Sequence, residues 1–350
     1  MSNTVLVAWG GLVIGLLFGA VGQRTGFCLM SGLRGAWVQG DGRMLRSFAL
    51  AMAVAILASH GLEAAGYIDL SDSIYIQPSF PWLSYLLGGA LFGYGMVLAN
   101  GCGARSLVLL GSGNLRSILV LFCIGLAGHM TLTGVLAQPR IWAAELATAT
   151  LPVPRASLVG VAEAAGIDGA AALWLPALVV AAALLAFSFS HAPFRASARH
   201  LTGGLVVGLL VAAGWFVTGH LGHDDFDPVS LASLTFIAPI GDTIQYLMMA
   251  TGISLRFGVT VVAGIVAGSF AATLLSRSFA LQGFSTPGRM LRYIAGGLLM
   301  GIGGALSLGC SIGQGLTGMS TLAIASMVAL AGILLGAWIG LKSPLAPAPV

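Results

Sequence analysis

Charge is what this sequence has least of. Asp, Glu, Lys and Arg make up 7% of its 350 residues, against about 25% in an ordinary globular chain. A water-soluble fold of this length cannot cover its surface with so few charges, and 57% of the residues are hydrophobic. The composition excludes a soluble enzyme or binding module and predicts an all-α integral membrane protein. The net charge of +4 is carried almost entirely by arginine, which reports on membrane topology and not on nucleic-acid binding. The four cysteines at 28, 102, 123 and 310 form no CxxC, so neither metal nor disulfide spacing is present. No GxGxxG, Walker A, HExxH or Ser-His-Asp pattern stands in a context that supports its chemistry, and no cofactor is implied. The first apolar segment lacks a basic leader and a small-residue cleavage site, so it reads as a span and not as a signal peptide.

A membrane-crossing helix needs about 20 mainly apolar residues. Nine segments qualify, near 4–22, 45–62, 82–99, 115–137, 171–190, 201–221, 255–276, 290–308 and 321–341. The longest connections, 63–81, 138–170 and 222–254, read as surface or interfacial stretches. Charge alternates between successive connections. With the N-terminus outside and the C-terminus inside, 12 of the 15 basic residues fall inside and 10 of the 11 acidic ones outside, the bias that sets orientation in bilayers.

Glycine is abundant, at 51 residues, which in an apolar background points to helices packed backbone to backbone. It also exposes an internal repeat. GGLVIGLL (10–17) matches GGLVVGLL (203–210), and GGALFGYGMVLANGC (88–102) matches GGLLMGIGGALSLGC (296–310) at an offset of 208. The expected organisation is a single membrane domain: repeat one at 1–137, a connector at 138–200 and repeat two at 201–341. Five spans separate equivalent positions, so the second repeat enters the membrane inverted, an arrangement typical of transporters with a site near the midplane. The stretches 100–113 and 308–318 each place a glycine-flanked cysteine after a full-length span. They are too short to cross the bilayer. They are expected to form re-entrant half-helices that meet near the centre, their N-termini attracting an anion. The alternative is a pair of ordinary interfacial loops whose glycines serve helix packing.

Cys28 follows the first span, and Cys123 lies within the fourth among Leu, Phe and Ile, where a lone cysteine packs as a small hydrophobe. A neutral thiol is a weak donor with a soft surface, suited to an anion whose exposed atom is sulfur. Thiols spaced along a path could pass such an ion by contacts weak enough to release it. GFC (26–28), GCGAR (101–105) and above all GGLLMGIGGALSLGCSIGQGLTG (296–318) make the chain resemble the YeeE/YedE family of sulphur transport proteins over nearly its whole length. The resemblance implies nine spans, an inverted repeat and uptake of thiosulfate across the bacterial inner membrane, with the ion handed along by Cys28, Cys102 and Cys310. Some relatives act on other sulfur or selenium species. Cys123 matches no family motif position.

Arg24 and Arg105 adjoin the cysteine loops and could draw in an anion or serve as positive-inside anchors. His60 reads as interfacial, beside Glu63; His129 lies deeper and is a candidate for proton coupling. Asp224, Asp225 and Asp227 with His220 and His223 read as a solvated acidic loop and not as a metal site. The arginine-rich inner face could dock a cytoplasmic TusA-like sulfur carrier protein. A membrane thiol oxidoreductase is the competing class; it wants two closely spaced cysteines, which the sequence does not place together.

Overall fold

The computed structural model describes residues 3–150, 153, 155–223, 229–284 and 286–345. Among them, helices account for nearly all regular structure. In chain order these are α1 (Asn3–Thr25), α2 (Leu29–Arg34), α3 (Arg43–Ala64), α4 (Trp82–Leu98), α5 (Gly103–Gly111), α6 (Arg116–Leu132), α7 (Ala137–Glu145), α8 (Leu158–Ala164), α9 (Ala170–Phe189), α10 (Ala192–Arg195), α11 (Ala198–Phe216), α12 (Ile237–Met249), α13 (Phe257–Leu275), α14 (Pro287–Leu306) and α15 (Ile324–Lys342). Short π-helical turns at Gly35–Gln39, Val217–Leu221 and Gly313–Gly318 extend or precede them. Among the described residues the sheet content is one antiparallel pair, Ser79–Phe80 with Ala149–Thr150.

The chain is a multi-pass membrane protein. Among the described residues seven stretches are long and apolar enough to span: Asn3–Gln39, Arg43–Ala64, Trp82–Gly111, Ala170–Phe189, Ala198–Leu221, Phe257–Leu275 and Ile324–Lys342. An eighth is available if α6 and α7, bent by 62° at their junction, count as one. The ninth expected segment is α14, which has 20 residues; Arg289, Arg292 and its glycines hold its hydropathy down. The α4–α5 stretch is a broken span, with the helix interrupted at 99–102 and resumed at Gly103.

Close backbone approach organises the packing. Helix α1 lies along α13, and α11 along α3; α4 lies along α15, and α14 along α6. At the crossing of α4 and α14, Gly88 faces Gly303 and Gly95 faces Gly296, which brings the two backbones within van der Waals contact as small-residue interfaces do in lipid. Helix α9 is peripheral, mostly exposed and packed on α3.

Two connections hold more than was expected of them. The stretch 222–254 contains α12, whose Ile237, Pro239, Ile240 and Gly241 are buried against α6 and α13. The stretch 138–170 contains α8, capped by Ser157 Oγ accepting from the Gly160 N–H. The acidic residues 224, 225 and 227 lie outside the described residues.

Candidate thiol pathway

Each of Cys28, Cys102 and Cys310 sits where one helix has stopped and a short one is about to begin. Helix α4 ends with Gly101 N donating to Met96 O at 3.0 Å, and α14 with Gly309 N donating to Gly304 O at 2.8 Å, the Schellman closure. It puts Asn100 (φ 57°) and Leu308 (φ 50°) in the left-handed region, which a non-glycine residue adopts at a cost. The chain then swings extended through the cysteine. Cys28 (φ −167°) caps α2 and Cys102 (φ −92°) caps α5.

The same local geometry surrounds each sulfur. The backbone N–H three residues on points at it: Ser31 for Cys28, Arg105 for Cys102 and Gly313 for Cys310, the last at 3.3 Å. The Ile312 and Phe236 N–H groups also face the Cys310 sulfur. Free N–H groups at a helix start carry partial positive charge, so the three sulfurs lie in an environment that favours an anion.

The fold brings these three cysteines together and leaves the fourth apart. The Cys28 and Cys102 thiols face each other within hydrogen-bonding reach. The hydroxyl of Ser311, next to Cys310 in the chain, approaches the Cys102 thiol. All three cysteines are buried, at 1–2% exposure. Cys123 is buried elsewhere, on α6 against Gly297 of α14. All four are free thiols. Aromatic rings wall the cluster. Phe27 stacks on Phe48 at 5.7 Å and Phe18 meets Phe236 at 5.7 Å, while Tyr75, beside Cys310, meets Trp215 edge-on at 6.3 Å.

Cationic groups stand near Cys28. Arg105, half-buried, donates to Gly22 O at 3.3 Å and acts electrostatically on Cys28. Arg34 does the same from α2, held by donation to Asn100 Oδ1 at 2.6 Å. Arg24 is exposed at the end of α1, so of the two residues weighed as anion-attracting or as anchors it is Arg105 that reaches the cluster, and Arg34 joins it. No sequence signal marked Arg34; its partner Asn100 sits in the motif before Cys102. Nor did the sequence single out Ser311, Tyr75 or Phe236, which lie far from Cys102 in the chain or in a connection read as surface.

His60 is buried in protein, 1% exposed, near the end of α3; its Nδ1 lies 3.0 Å from Ile56 O. His129 Nε2 lies 3.2 Å from Asp242 Oδ1 of α12. Glu63 pairs with Arg155 at 3.0 Å. Among the described residues no group of His, Cys, Asp and Glu is placed to hold a metal ion.

Comparison with known proteins agrees with the motifs. The chain is 28% identical over 344 residues to the thiosulfate transporter TsuA of Escherichia coli, covering 94% of this chain and 92% of that protein. It is 27% identical over 334 residues to the thiosulfate transporter TsuA of Spirochaeta thermophila, covering 94% and 97%. A shorter match, 30% over 93 residues, covers 26% of this chain and 21% of the probable transporter YedE of Escherichia coli. Residues 24–339 match the sulphur transport family, a family of transport proteins and not of enzymes, and the chain belongs to it.

Proposed function

We propose that this protein takes up thiosulfate, or a closely related sulfur-containing anion, across the bacterial inner membrane, handing it along Cys310, Cys102 and Cys28. The observation that carries the reading is the convergence of these three buried thiols, each beside a helix-start N–H, with Arg34 and Arg105 next to Cys28. A soft, neutral sulfur surface suits a sulfur-terminated ion. Partial positive charge from backbone N–H groups and arginines suits its negative charge. The relatives named thiosulfate transporters match over 94% of the chain, which favours this ion over other sulfur or selenium species. The thiols are closed off from solvent in this conformation, so transport requires the helices around them to part, opening on one side at a time.

The inverted repeat belongs to this proposal. Support comes from the order of elements: α4, α5 and α6 of repeat one run parallel in sequence to α14, the Gly313–Gly318 turn and α15 of repeat two, at the same offset of 208. The left-handed residues Asn100 and Leu308 obey that offset too, as do the reciprocal glycine contacts of α4 and α14. With the N-terminus periplasmic and the C-terminus cytoplasmic, Arg34, Arg43, Arg46 and Arg116 face the cytoplasm, where a TusA-like sulfur carrier would receive the ion.

Growth is the direct test. In cells lacking their own thiosulfate uptake and given thiosulfate as sole sulfur source, the wild-type chain restores growth. Cys28→Ala, Cys102→Ala and Cys310→Ala each abolish it, and Cys123→Ala does not. Undiminished growth with the first three variants sinks the relay.

A further inference from the structure

Hydroxyl groups crowd the chain around Cys310, and most are already bonded. Ser307 Oγ donates to Gly303 O at 2.9 Å, Thr317 Oγ1 to Leu234 O at 2.6 Å and Thr321 Oγ1 to Gly318 O at 2.7 Å. Ser320 Oγ donates to Thr317 O at 2.7 Å and accepts from Trp215 Nε1 at 3.0 Å. Ser311 is the exception that faces the thiols. It is fully buried, its hydroxyl makes no well-aligned hydrogen bond to nitrogen or oxygen, and its one polar neighbour is the Cys102 thiol, approached from the residue after Cys310. Gln314 Oε1 and Ser326 Oγ are without partners, but they converge on Gly318 and not on the thiols. A buried hydroxyl whose only polar neighbour is a thiol, a weak donor and acceptor, is poorly satisfied, and native structures rarely tolerate one without a ligand, water or functional reason.

We propose that Ser311 is a specificity-determining residue whose O–H donates to an oxygen of the transported anion while Cys102 and Cys310 meet its sulfur. This rests on the transport reading above. Thiosulfate carries two chemically distinct ends, a soft terminal sulfur and three hard sulfonate oxygens. Thiols alone would accept any sulfur anion, hydrosulfide included. A hydroxyl, a stronger donor than a thiol, discriminates for the oxyanion, since an ion without oxygen leaves it unpaired. The arrangement is one-sided. The position equivalent to Ser311 beside Cys102 is Gly103, where a Cβ would lie 3.2 Å from Ile240 and no hydroxyl fits without displacement. A single polar anchor next to two thiols gives the ion one orientation.

The test is uptake by the purified full chain in proteoliposomes, comparing wild type, Ser311→Ala and Ser311→Thr. KM and maximal rate for thiosulfate are measured, together with inhibition by hydrosulfide. Loss of a hydrogen bond to a charged ligand predicts that Ser311→Ala raises KM about ten- to a hundredfold with little change in maximal rate. Inhibition by hydrosulfide is unchanged in that variant, so the preference for thiosulfate collapses. Ser311→Thr, which keeps the hydroxyl, restores the KM to within a few-fold of wild type. A wild-type KM in Ser311→Ala overturns the inference and leaves the transport reading standing. Equal loss in Ala and Thr variants, with both ions affected alike, assigns Ser311 to packing and also overturns it. A wild-type chain that takes up no thiosulfate overturns the transport reading, and the inference with it.

Discussion

His129 on α6 stands against Asp242 on α12, Nε2 to Oδ1 at 3.2 Å, in close polar contact but not aligned as a hydrogen bond. Gly241 makes room for it, since a Cβ there would collide with the imidazole ring. The same helix begins at the thiols: the Phe236 N–H faces Cys310, and Phe236 and Ile240 lie over Gly103. Asp242 also lines a cavity of about 270 Å³ with Gln245, Tyr246 and Arg256, which shares no residue with the thiol cluster. Helix α12 therefore runs from the cluster at its start to a polar cleft at Asp242.

Ionisable residues at membrane depth are expensive and tend to be functional. Asp242→Asn alters a polar contact whose side chains are 27% and 21% exposed, so the expected destabilisation is about 0.5–1.5 kcal/mol, the net worth of a typical polar contact. Uptake falls about tenfold as α12 loosens from α6. Gly241→Ala has the larger effect, because the ring and the new methyl occupy the same space. Wild-type uptake in both variants would show that α12 does not need this contact.

Replacement of the pathway cysteines by serine separates softness from size. A hydroxyl nearly preserves volume and improves the donor, but loses the polarizable sulfur. Cys28→Ser, Cys102→Ser and Cys310→Ser are each expected to fold normally and to slow thiosulfate uptake by about tenfold or more, roughly 1.4 kcal/mol in the transport barrier. Cys123→Ser leaves uptake unchanged and lowers the thermal midpoint, since a hydroxyl is then buried against Gly297. Full activity in the three serine variants would mean that any small donor suffices.

How much of this was legible in the sequence depends on whether the signal was local. The GGALFGYGMVLANGC and GGLLMGIGGALSLGC blocks marked α4 and α14 as matched glycine-rich spans and the break before each cysteine, because glycine spacing and a missing helix former act over a few residues, while the crossing of the two helices was not legible. The resemblance brought Cys28, Cys102 and Cys310 forward together. What stayed hidden was set by distant partners. Helix α12 was lost in a long connection because its Asp, Thr and Gln mask its apolar face, which only α6 and α13 complete. His60, read as interfacial beside Glu63, is also buried by tertiary packing that its own segment does not announce. Arg24 and Arg105 look alike in the sequence; only the turn of α5 toward Gly22 distinguishes them. Ser311 reads as one more small residue until its neighbours prove to be bonded to backbone oxygens while it meets only the Cys102 thiol.

Helix α4 meets α15 so closely that substitutions at their glycines have opposite effects from those at open ones. A Cβ at Gly336 would strike the Ala90 backbone, and one at Gly93 would strike Ile333 O and lie 2.8 Å from Ala337 N. Gly336→Ala and Gly93→Ala are each expected to lower stability by about 1–3 kcal/mol, the overpacking range. Gly61 lies within α3 with nothing within 4 Å of a Cβ, and Gly61→Ala is expected to raise stability by about 0.5–1 kcal/mol through helix propensity. Thermal unfolding in detergent reads all three. A neutral Gly336→Ala would mean that the α4–α15 contact relaxes at no cost.

Asp41, in the turn between α2 and α3, takes the Arg43 guanidinium through Nε at 2.9 and 3.1 Å and Nη2 at 2.7 Å. The Arg43 side chain holds its carboxyl down at about 2, below the ordinary 3.8. A depressed carboxyl pKa stabilises the fold above the ordinary value and loses that contribution as pH falls through the folded one. The window of loss is therefore about pH 4 to 2, well below the range in which uptake is assayed. Both side chains are exposed, at 43% and 44%, so the pair is weak and salt-screened. Asp41→Asn is expected to give an uptake profile parallel to wild type from pH 5 to 8, with acid inactivation differing only below about pH 4. Profiles that diverge between pH 5 and 8 would mean that Asp41 protonates in the working range and that Arg43 does not hold it ionised.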